Sequence, residues 1–254
     1  MIRLENLIKR YGSFVAVDDI SLTVERKELF GLLGPNGAGK TTTLRMIAGI
    51  LRPSGGRVLI GDADVHQAPL VAKQQLGFIP DRPFVYEKLT GAEFLRFVAG
   101  LYGQEGPAVE RRIVELLEVF ELTSWGDELV EAYSHGMRQK LIISSALVHR
   151  PACIVVDEPM VGLDPKAARL LKDILARFVE RGGTVLMSTH TLEIAEAMCH
   201  RIAIIQRGKI VACGTMDELR RQTAAGNVSL EELFLRLTGG AEAHALAEVL
   251  GGPP

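Results

Sequence analysis

The sequence predicts an α/β protein built on a mostly parallel sheet, and three stretches carry that prediction. Residues 29–33, LFGLL, form a short apolar run that leads into the glycine-rich GPNGAGK and then into TTTLRMIAGIL, which has helical spacing. The runs CIVVD (153–157) and TVLMSTH (184–190) are likewise short and apolar. Short apolar runs that alternate with helices are typical of the buried strands of a parallel sheet.

The flanking strands have a different pattern. MIRLENLIKRYG and DDISLTVERKE, within residues 1–30, alternate apolar and polar residues, which predicts half-buried strands. LRPSGGRVLIGD places a Pro/Gly turn before a further strand. RIAIIQRGKIVACG predicts a hairpin that turns at Arg207-Gly208.

A helical region interrupts the strands. From about Leu89 to Tyr133 the apolar residues recur every three or four positions, which predicts an inserted helical lobe over roughly residues 83–150. Another helix is predicted in GLDPKAARLLKDILARFVERGG, with Asp164 as its N-cap, Pro165 at its first position and Gly182 just past its end.

The C-terminal part predicts a helical extension. Thr215 with Glu218, and Ser229 with Glu232, have the spacing of capping boxes that start short helices. The last stretch, TGGAEAHALAEVLGGPP, predicts a flexible tail. We therefore expect a main domain over residues 1–215, containing the lobe at 83–150, and an extension with a tail over residues 216–254.

Composition limits the class of protein. The chain has 254 residues, 47% of them hydrophobic, and a formal net charge of -2, so no basic excess favours binding to nucleic acid phosphates. The charged N-terminus lacks the apolar core of a secretory leader, and no window approaches the roughly 20 apolar residues of a membrane helix. Three cysteines, at 153, 199 and 213, predict reduced structural thiols in a cytosolic protein.

The glycine-rich loop predicts nucleotide binding. Gly34 to Thr41 fit the pattern G-x-x-x-x-G-K-[ST] between a buried strand and a helix, the context that distinguishes a phosphate loop from an ordinary glycine-rich turn. Such a loop points backbone N–H groups at a triphosphate, while Lys40 adds positive charge and Thr41 offers a hydroxyl to Mg²⁺. The residues assigned to nucleotide binding here are Gly34, Pro35, Asn36, Gly37, Ala38, Gly39, Lys40, Thr41 and Thr42.

Two later strands deliver polar residues to the ligand edge of the sheet. Asp157 and Glu158 end one strand, and adjacent carboxylates repel each other unless a cation or proton intervenes. Mg²⁺ bound to ATP would remove the repulsion at Asp157, leaving Glu158 to orient or deprotonate an attacking water. His190 ends the next strand and would contact the γ-phosphate. The alternative for Asp157 and Glu158 is an acidic pair that faces solvent. The alternative for His190 is a purely structural role.

Taken together, these residues resemble the ATP-binding cassette (ABC) family, the nucleotide-binding subunits of ABC transporters, over roughly residues 2–215. Tyr11 matches the aromatic that stacks on adenine, and GPNGAGKTT matches the Walker A loop. GFIPD occupies the Q-loop position, YSHGMRQKL the signature motif and VVDEP the Walker B strand. GLDP, with Asp164, matches the D-loop, and STH matches the switch histidine. The resemblance implies a P-loop NTPase core with an N-terminal antiparallel β subdomain and an inserted helical subdomain.

The signature motif has two roles under this resemblance. Ser134 is a typical N-cap for the helix that follows it. In ABC proteins two cassettes pack head to tail, so the resemblance implies that Ser134, His135, Gly136 and Met137 would meet the γ-phosphate of ATP held by the other cassette.

Two motifs depart from the family pattern. Against the usual Leu-Ser-Gly-Gly-Gln, this chain has Tyr133, His135 and Met137 at the first, third and fifth places, and His135 would either add a donor or crowd the phosphate. Asp81 replaces the glutamine of the Q-loop, and its carboxylate can still contact Mg²⁺ or a bound water. The expected metal contacts are Thr41, Asp157 and Asp81.

The resemblance implies an ATPase subunit that powers a separate multi-span membrane permease by dimer closure, with Glu158 and His190 as catalytic residues. It also implies ATP and Mg²⁺ as cofactors, a second cassette as partner, no nucleic acid, and a position at the cytoplasmic face of the membrane. The stretch SLEELFLRLTGG and the form of the signature resemble exporter-type cassettes. An uptake system, or a soluble ABC-type ATPase acting on ribosomes or DNA, remains as an alternative.

Overall fold

The computed structural model describes residues 1–81, 84–160, 163–222 and 230–238. The strands are β1 Ile2–Tyr11, β2 Phe14–Val24, β3 Leu29–Leu33, β4 Gly55–Ile60, β5 Ala63–Asp64, β6 Leu76–Ile79, β7 Cys153–Asp157, β8 Thr184–Thr189, β9 Arg201–Gln206 and β10 Lys209–Gly214. The helices are α1 Lys40–Ile47, α2 Pro69–Gln74, α3 Gly91–Leu101, α4 Pro107–Val119, α5 His135–Val148, α6 Pro165–Glu180, α7 Leu192–Met198, α8 Met216–Gln222 and α9 Leu230–Thr238.

The central sheet has six strands in the order β10-β9-β3-β8-β7-β6. Strands β9, β3, β8, β7 and β6 are parallel, and β10 pairs antiparallel to β9 at the edge. Every residue of β3, β7 and β8 is buried, which explains why these strands are mainly apolar. The carboxyl ends of these three strands therefore meet at one edge of the sheet.

A second, four-stranded sheet in the order β2-β1-β4-β5 is antiparallel and packs against one face of the central sheet. The alternation of strand side chains divides the core. Val155 of β7 packs with the N-terminal sheet and α1, whereas Ile154 and Val156 pack with α5, α6 and the helical lobe. The observed topology agrees with the predicted fold class.

Three helices, α3, α4 and α5, lie between β6 and β7 and form the helical lobe. Thr90 caps α3 in a capping box with Glu93. Before α5, the Tyr133 hydroxyl donates to the carbonyl of Trp125 at 2.5 Å. A core of lobe residues around Phe94, Leu117 and Leu141 is continuous with the core under β7 and β8.

Several local predictions are confirmed, and several short elements were missed. The β9–β10 hairpin turns at Arg207 and Gly208, with φ of 46° and 78°. Asp164 caps α6, and Thr215 and Glu218 form the predicted capping box. Sequence patterns did not indicate α2, β5, β6 or α7, all of seven residues or fewer.

Two predictions in the C-terminal part cannot be followed in the structure. Ser229, the cap predicted with Glu232, and the predicted flexible tail at 239–254 lie outside the described residues. Within the described part of the chain, no helix is both long and apolar enough to span a bilayer. The three cysteines are free thiols.

Candidate functional site

A cavity of about 370 Å³ opens at the carboxyl edge of the central sheet, a volume within the range of small-molecule sites. It brings together most of the residues assigned to nucleotide binding. Its lining consists of Tyr11, Phe14, Ala16, Pro35, Asn36, Gly37, Ala38, Gly39, Lys40, Thr41, Thr42, Asp81 and Glu158. Phe14 and Ala16 were not predicted, and Gly34, Asp157 and His190 are not part of the lining.

Two glycines allow the loop between β3 and α1 to curl. A Cβ on Gly34 would lie 2.4 Å from the carbonyl oxygen of Ile205, so no side chain fits there. Gly39 has a φ of 111°, a left-handed conformation, and precedes α1 without a side-chain cap on the first turn. The uncapped N-terminus of α1 therefore leaves N–H groups for an anion at the cavity.

Lys40 is held within the loop that surrounds it. Its Nζ donates to the carbonyl oxygens of Gly34 at 2.7 Å and Pro35 at 3.2 Å, and lies 3.7 Å from Oε1 of Glu158. Burial lowers the pKa of Lys40, and the negative charges of Glu158 and Asp157 oppose that effect. The ammonium group is already fixed at the cavity. Little side-chain entropy would therefore be lost when an anion binds.

Asp157 lies at the end of β7 and is 1% exposed. The pKa of its carboxyl group is raised, mainly because of burial. The charges of Asp81 and Glu158 also raise this pKa, whereas hydrogen bonds from the Ser188 and Thr41 hydroxyls lower it. Ser188 donates to Oδ1 of Asp157. The described residues hold no cluster of three or more His, Cys, Asp or Glu side chains that could bind a metal on their own.

Glu158 follows Asp157 in an unusual backbone conformation. Its φ is 49°, in the left-handed region, and its amide donates to both the carbonyl and the hydroxyl oxygen of Ser188, each at 3.2 Å. A non-glycine residue in this region is uncommon, and such strain concentrates at functional sites. The conformation directs the carboxylate between Lys40 and Nδ1 of His190, which lies 2.9 Å from Oε2. The structure therefore places His190 against Glu158 rather than in the cavity wall.

Aromatic side chains form the outer wall of the cavity. Tyr11 and Phe14 are register partners at the β1–β2 turn, and both are exposed. The ammonium of Lys9 lies 5.1 Å from the centroid of the Tyr11 ring, in cation–π range. Phe14 could have been found from the sequence only by pairing it with Tyr11 across the hairpin.

The signature residues lie apart from this cavity. Ser134 caps α5 by accepting from the amide of Met137 at 3.3 Å. The amides of His135 and Gly136 have no protein acceptor within the described part of the chain, and a Cβ on Gly136 would meet nothing within 4 Å. Asp164 has a capping role too, accepting from the amide of Ala167 at 2.8 Å. None of residues 134–137 lines the cavity.

Comparison with known protein families matches residues 17–161 to the model described as ABC transporter. The chain is 34% identical over 238 residues to the ABC-type transporter ATP-binding protein EcsA of Bacillus subtilis (strain 168), an alignment that covers 94% of this chain and 96% of EcsA. It is 37% identical over 240 residues to the probable multidrug ABC transporter ATP-binding protein YbhF of Escherichia coli (strain K12), covering 93% of this chain and 41% of YbhF. The chain thus spans about two fifths of the length of YbhF.

Solved structures give the same result. A structure of the ATP binding subunit of an ABC transporter has a TM-score of 0.89 and 35% identity, and the match covers 94% of this chain and 99% of the other. A dimeric structure of a bacterial ABC transporter cassette has a TM-score of 0.77 and 25% identity, covering 85% of this chain and 99% of the other. The family match and the EcsA alignment, which extends over nearly the whole of both chains, show that this chain belongs to the ABC transporter family.

Proposed function

We propose that the chain is the ATP-binding and ATP-hydrolysing subunit of an ABC transporter, and that it powers export through a separate membrane permease. The observation that supports this most directly is the cavity where the N-terminus of α1, Lys40, Thr41 and Glu158 converge. It offers cationic and N–H donors that would bind a triphosphate, beside a carboxylate that would act on water.

The triphosphate of ATP would occupy the loop at 34–42, with the adenine against Tyr11. The donor set near Asp157 fits Mg²⁺, because it consists of oxygen atoms from Thr41, Asp157 and Asp81, and Mg²⁺ in such sites is held by one or two carboxylates together with phosphates and waters. When bound, Mg²⁺ would neutralise phosphate charge. The burial that raises the pKa of Asp157 also favours a cation as its partner.

Glu158 would accept the proton of the attacking water. Lys40 at 3.7 Å and His190 at 2.9 Å hold its two carboxylate oxygens in different directions. His190 is exposed and would reach the γ-phosphate with the ring nitrogen that does not face Glu158. A general base in such a position contributes a factor of about 10² to 10⁴ to the rate.

A second cassette would complete each site. The free amides of His135 and Gly136 are typical anion donors at a helix N-terminus, yet they lie outside this chain's own cavity. Two cassettes packed head to tail would bring the signature residues Ser134, His135, Gly136 and Met137 of each to the ATP of the other. Asp164, at the start of α6, would lie at the same interface.

The permease would dock on the helical lobe. Three exposed aromatic residues lie there, and the Tyr86 ring contacts the other two, with centroids 6.1 Å from Phe84 and 5.3 Å from Phe97. Exposed clusters of this kind mark interaction sites. The chain would then lie at the cytoplasmic face of the membrane without spanning it.

Export is favoured by the names of relatives. These include the daunorubicin/doxorubicin resistance protein DrrA of Streptomyces peucetius and Nod factor export proteins. The substrate class would be set by the permease.

Copurification of a multi-span membrane protein would support a transporter, whereas copurification of ribosomes or DNA would contradict it.

The central test is Glu158→Gln, with Glu180→Gln on the exposed side of α6 as the control. We expect Glu158→Gln to keep ATP affinity within about threefold, to lower turnover by about 10² or more, and to accumulate an ATP-bound dimer in size-exclusion chromatography. Glu180→Gln should match the parent chain in all three measurements. Turnover near the parental rate in Glu158→Gln would remove Glu158 from the proposed role.

A further inference from the structure

Two adjoining clefts lie at the edge of the central sheet opposite the nucleotide cavity, where β7 and β8 begin. Their volumes are about 590 Å³ and 270 Å³, and both are lined by Arg112, Leu147, Phe178 and Arg181. Arg150 lines the larger cleft and Arg177 the smaller one. We call this pair, with its four arginines, the arginine cleft. It joins α4 of the helical lobe to α6 of the core.

The positive charge of the arginine cleft is poorly balanced. Glu115 is the only acidic residue in its lining, and it pairs with Arg112, Nη1 to Oε2 at 3.3 Å. Among the described residues, no carboxylate forms an ion pair with Arg150, Arg177 or Arg181. The whole chain carries a formal charge of -2, so this excess of guanidinium groups is local.

One donor in the cleft is buried without a partner. Nε of Arg112 has no hydrogen-bond acceptor in the described part of the chain, although it is shielded from solvent. Nη2 of the same side chain reaches the carbonyl of Leu147 at 3.5 Å, at the limit of hydrogen-bond distance. A buried donor that lacks an acceptor is unfavourable, so Arg112 would gain a hydrogen bond if its side chain moved to a ligand oxygen in the cleft.

The ends of the neighbouring helices explain part of this arrangement but not all of it. Arg177 lies in the last turn of α6, where a positive charge is favourable because of the helix dipole. The side chains of Arg150 and Arg181, however, donate to no described carbonyl and remain available to a ligand. The apolar side chains of Leu147 and Phe178 provide a wall beside them.

We propose that the arginine cleft binds a small polyanion, a molecule with two or more phosphate or carboxylate groups. Guanidinium groups bind both kinds of oxyanion in a bidentate manner, and the cleft volumes suit a small molecule. A ligand there would contact Arg112 of the lobe and Arg181 of the core at once. This site goes beyond the proposed ATPase function and does not depend on it.

The test is calorimetric titration of the intact chain with inorganic pyrophosphate and, separately, with citrate. The double variant Arg150→Gln/Arg181→Gln removes two exposed guanidinium groups from the cleft. Arg111→Gln is the matched control, because Arg111 is the exposed neighbour of Arg112 on α4 and does not line the cleft. Circular dichroism melts establish that both variants fold. None of these substitutions lies in the phosphate loop, so the binding of pyrophosphate at that loop should be the same in the parent chain and in both variants.

We expect the double variant to lose one class of pyrophosphate site, or to bind it at least about tenfold more weakly, while Arg111→Gln stays within about twofold of the parent chain. Added salt should weaken the same site. Citrate binding that is lost in the same variant would assign carboxylates as well as phosphates, and pyrophosphate binding alone would assign phosphates. Equal binding in the double variant and the parent, or no binding of either probe at about 1 mM, would overturn the proposal.

Discussion

Asp157→Asn should make the nucleotide-free protein more stable while it removes Mg²⁺-dependent function. Asp157 is almost fully buried, and desolvation of a buried ion costs several kcal/mol. Hydrogen bonds from Ser188 and Thr41 offset part of that cost, about 1.5–3 kcal/mol each for bonds to a charged group. The raised pKa of Asp157 means that the ionised form still carries a net penalty in the folded protein. Replacing a buried charge that is incompletely compensated by a neutral side chain gains on the order of 1–2 kcal/mol.

The sign of the pH dependence follows from that raised pKa. The folded protein holds the Asp157 proton more tightly than the unfolded chain, whose carboxyl has the ordinary pKa of 3.8. Protonated Asp157 therefore contributes to the stability of the folded parent chain. This contribution is fully present below pH 3.8 and is lost as the pH rises through the folded-state pKa of Asp157. The asparagine side chain carries no charge at either pH; one hydroxyl can still donate to its Oδ1, while the other rotates to accept from its NH2 group.

The assay is thermal unfolding followed by circular dichroism, in EDTA and without nucleotide. A gain of about 1–2 kcal/mol corresponds to a rise in Tm of about 2–8 °C for a chain of this size at neutral pH. The rise should shrink near pH 4, and added Mg²⁺ with ATP should stabilise the parent chain but not the variant. Asp62→Asn, at an exposed position, is the control. A lower Tm for Asp157→Asn at neutral pH, or a gain independent of pH, would refute the reasoning.

Three further substitutions separate folding from function. Gly136→Ala should leave Tm unchanged within about 1 °C, because a Cβ there meets no other atom within 4 Å. It should nevertheless lower ATPase turnover, and unchanged turnover would argue against a phosphate contact at Gly136. Gly34→Ala should weaken ATP binding at least about tenfold in a fluorescence titration, since its Cβ would displace the Ile205 carbonyl. Tyr133→Phe removes the bond to Trp125 and should cost about 1 kcal/mol in urea unfolding with ATP affinity intact.

The sequence was sufficient for the parts of the site that rest on local patterns. The loop at 34–41 is recognisable because a buried strand precedes it and a helix follows. Asp157 and His190 are placed at the same edge because parallel strands end there together. Caps at Ser134 and Asp164 follow from residue type and spacing alone.

The rest of the site depends on contacts between distant parts of the chain. The left-handed backbone of Glu158 arises from its amide bonds to Ser188, and no residue type in that stretch signals it. Strand β6 has only four residues and exists because it pairs with β7. The arginine cleft joins side chains from three separate segments, so no sequence window contains it.

In the proposed head-to-tail dimer, the positions of two helix N-termini explain why a second chain would complete each site. The N-terminus of α1 faces the chain's own cavity, whereas the N-terminus of α5 presents its unbonded His135 and Gly136 amides elsewhere. Each chain therefore carries both a phosphate loop and a set of donors that its own loop does not use. In a two-fold dimer the same pair of surfaces meets twice, so two ATP sites would close together. The binding energy of two triphosphates would then act on one interface, which is the simplest physical route from ATP binding to movement of a permease.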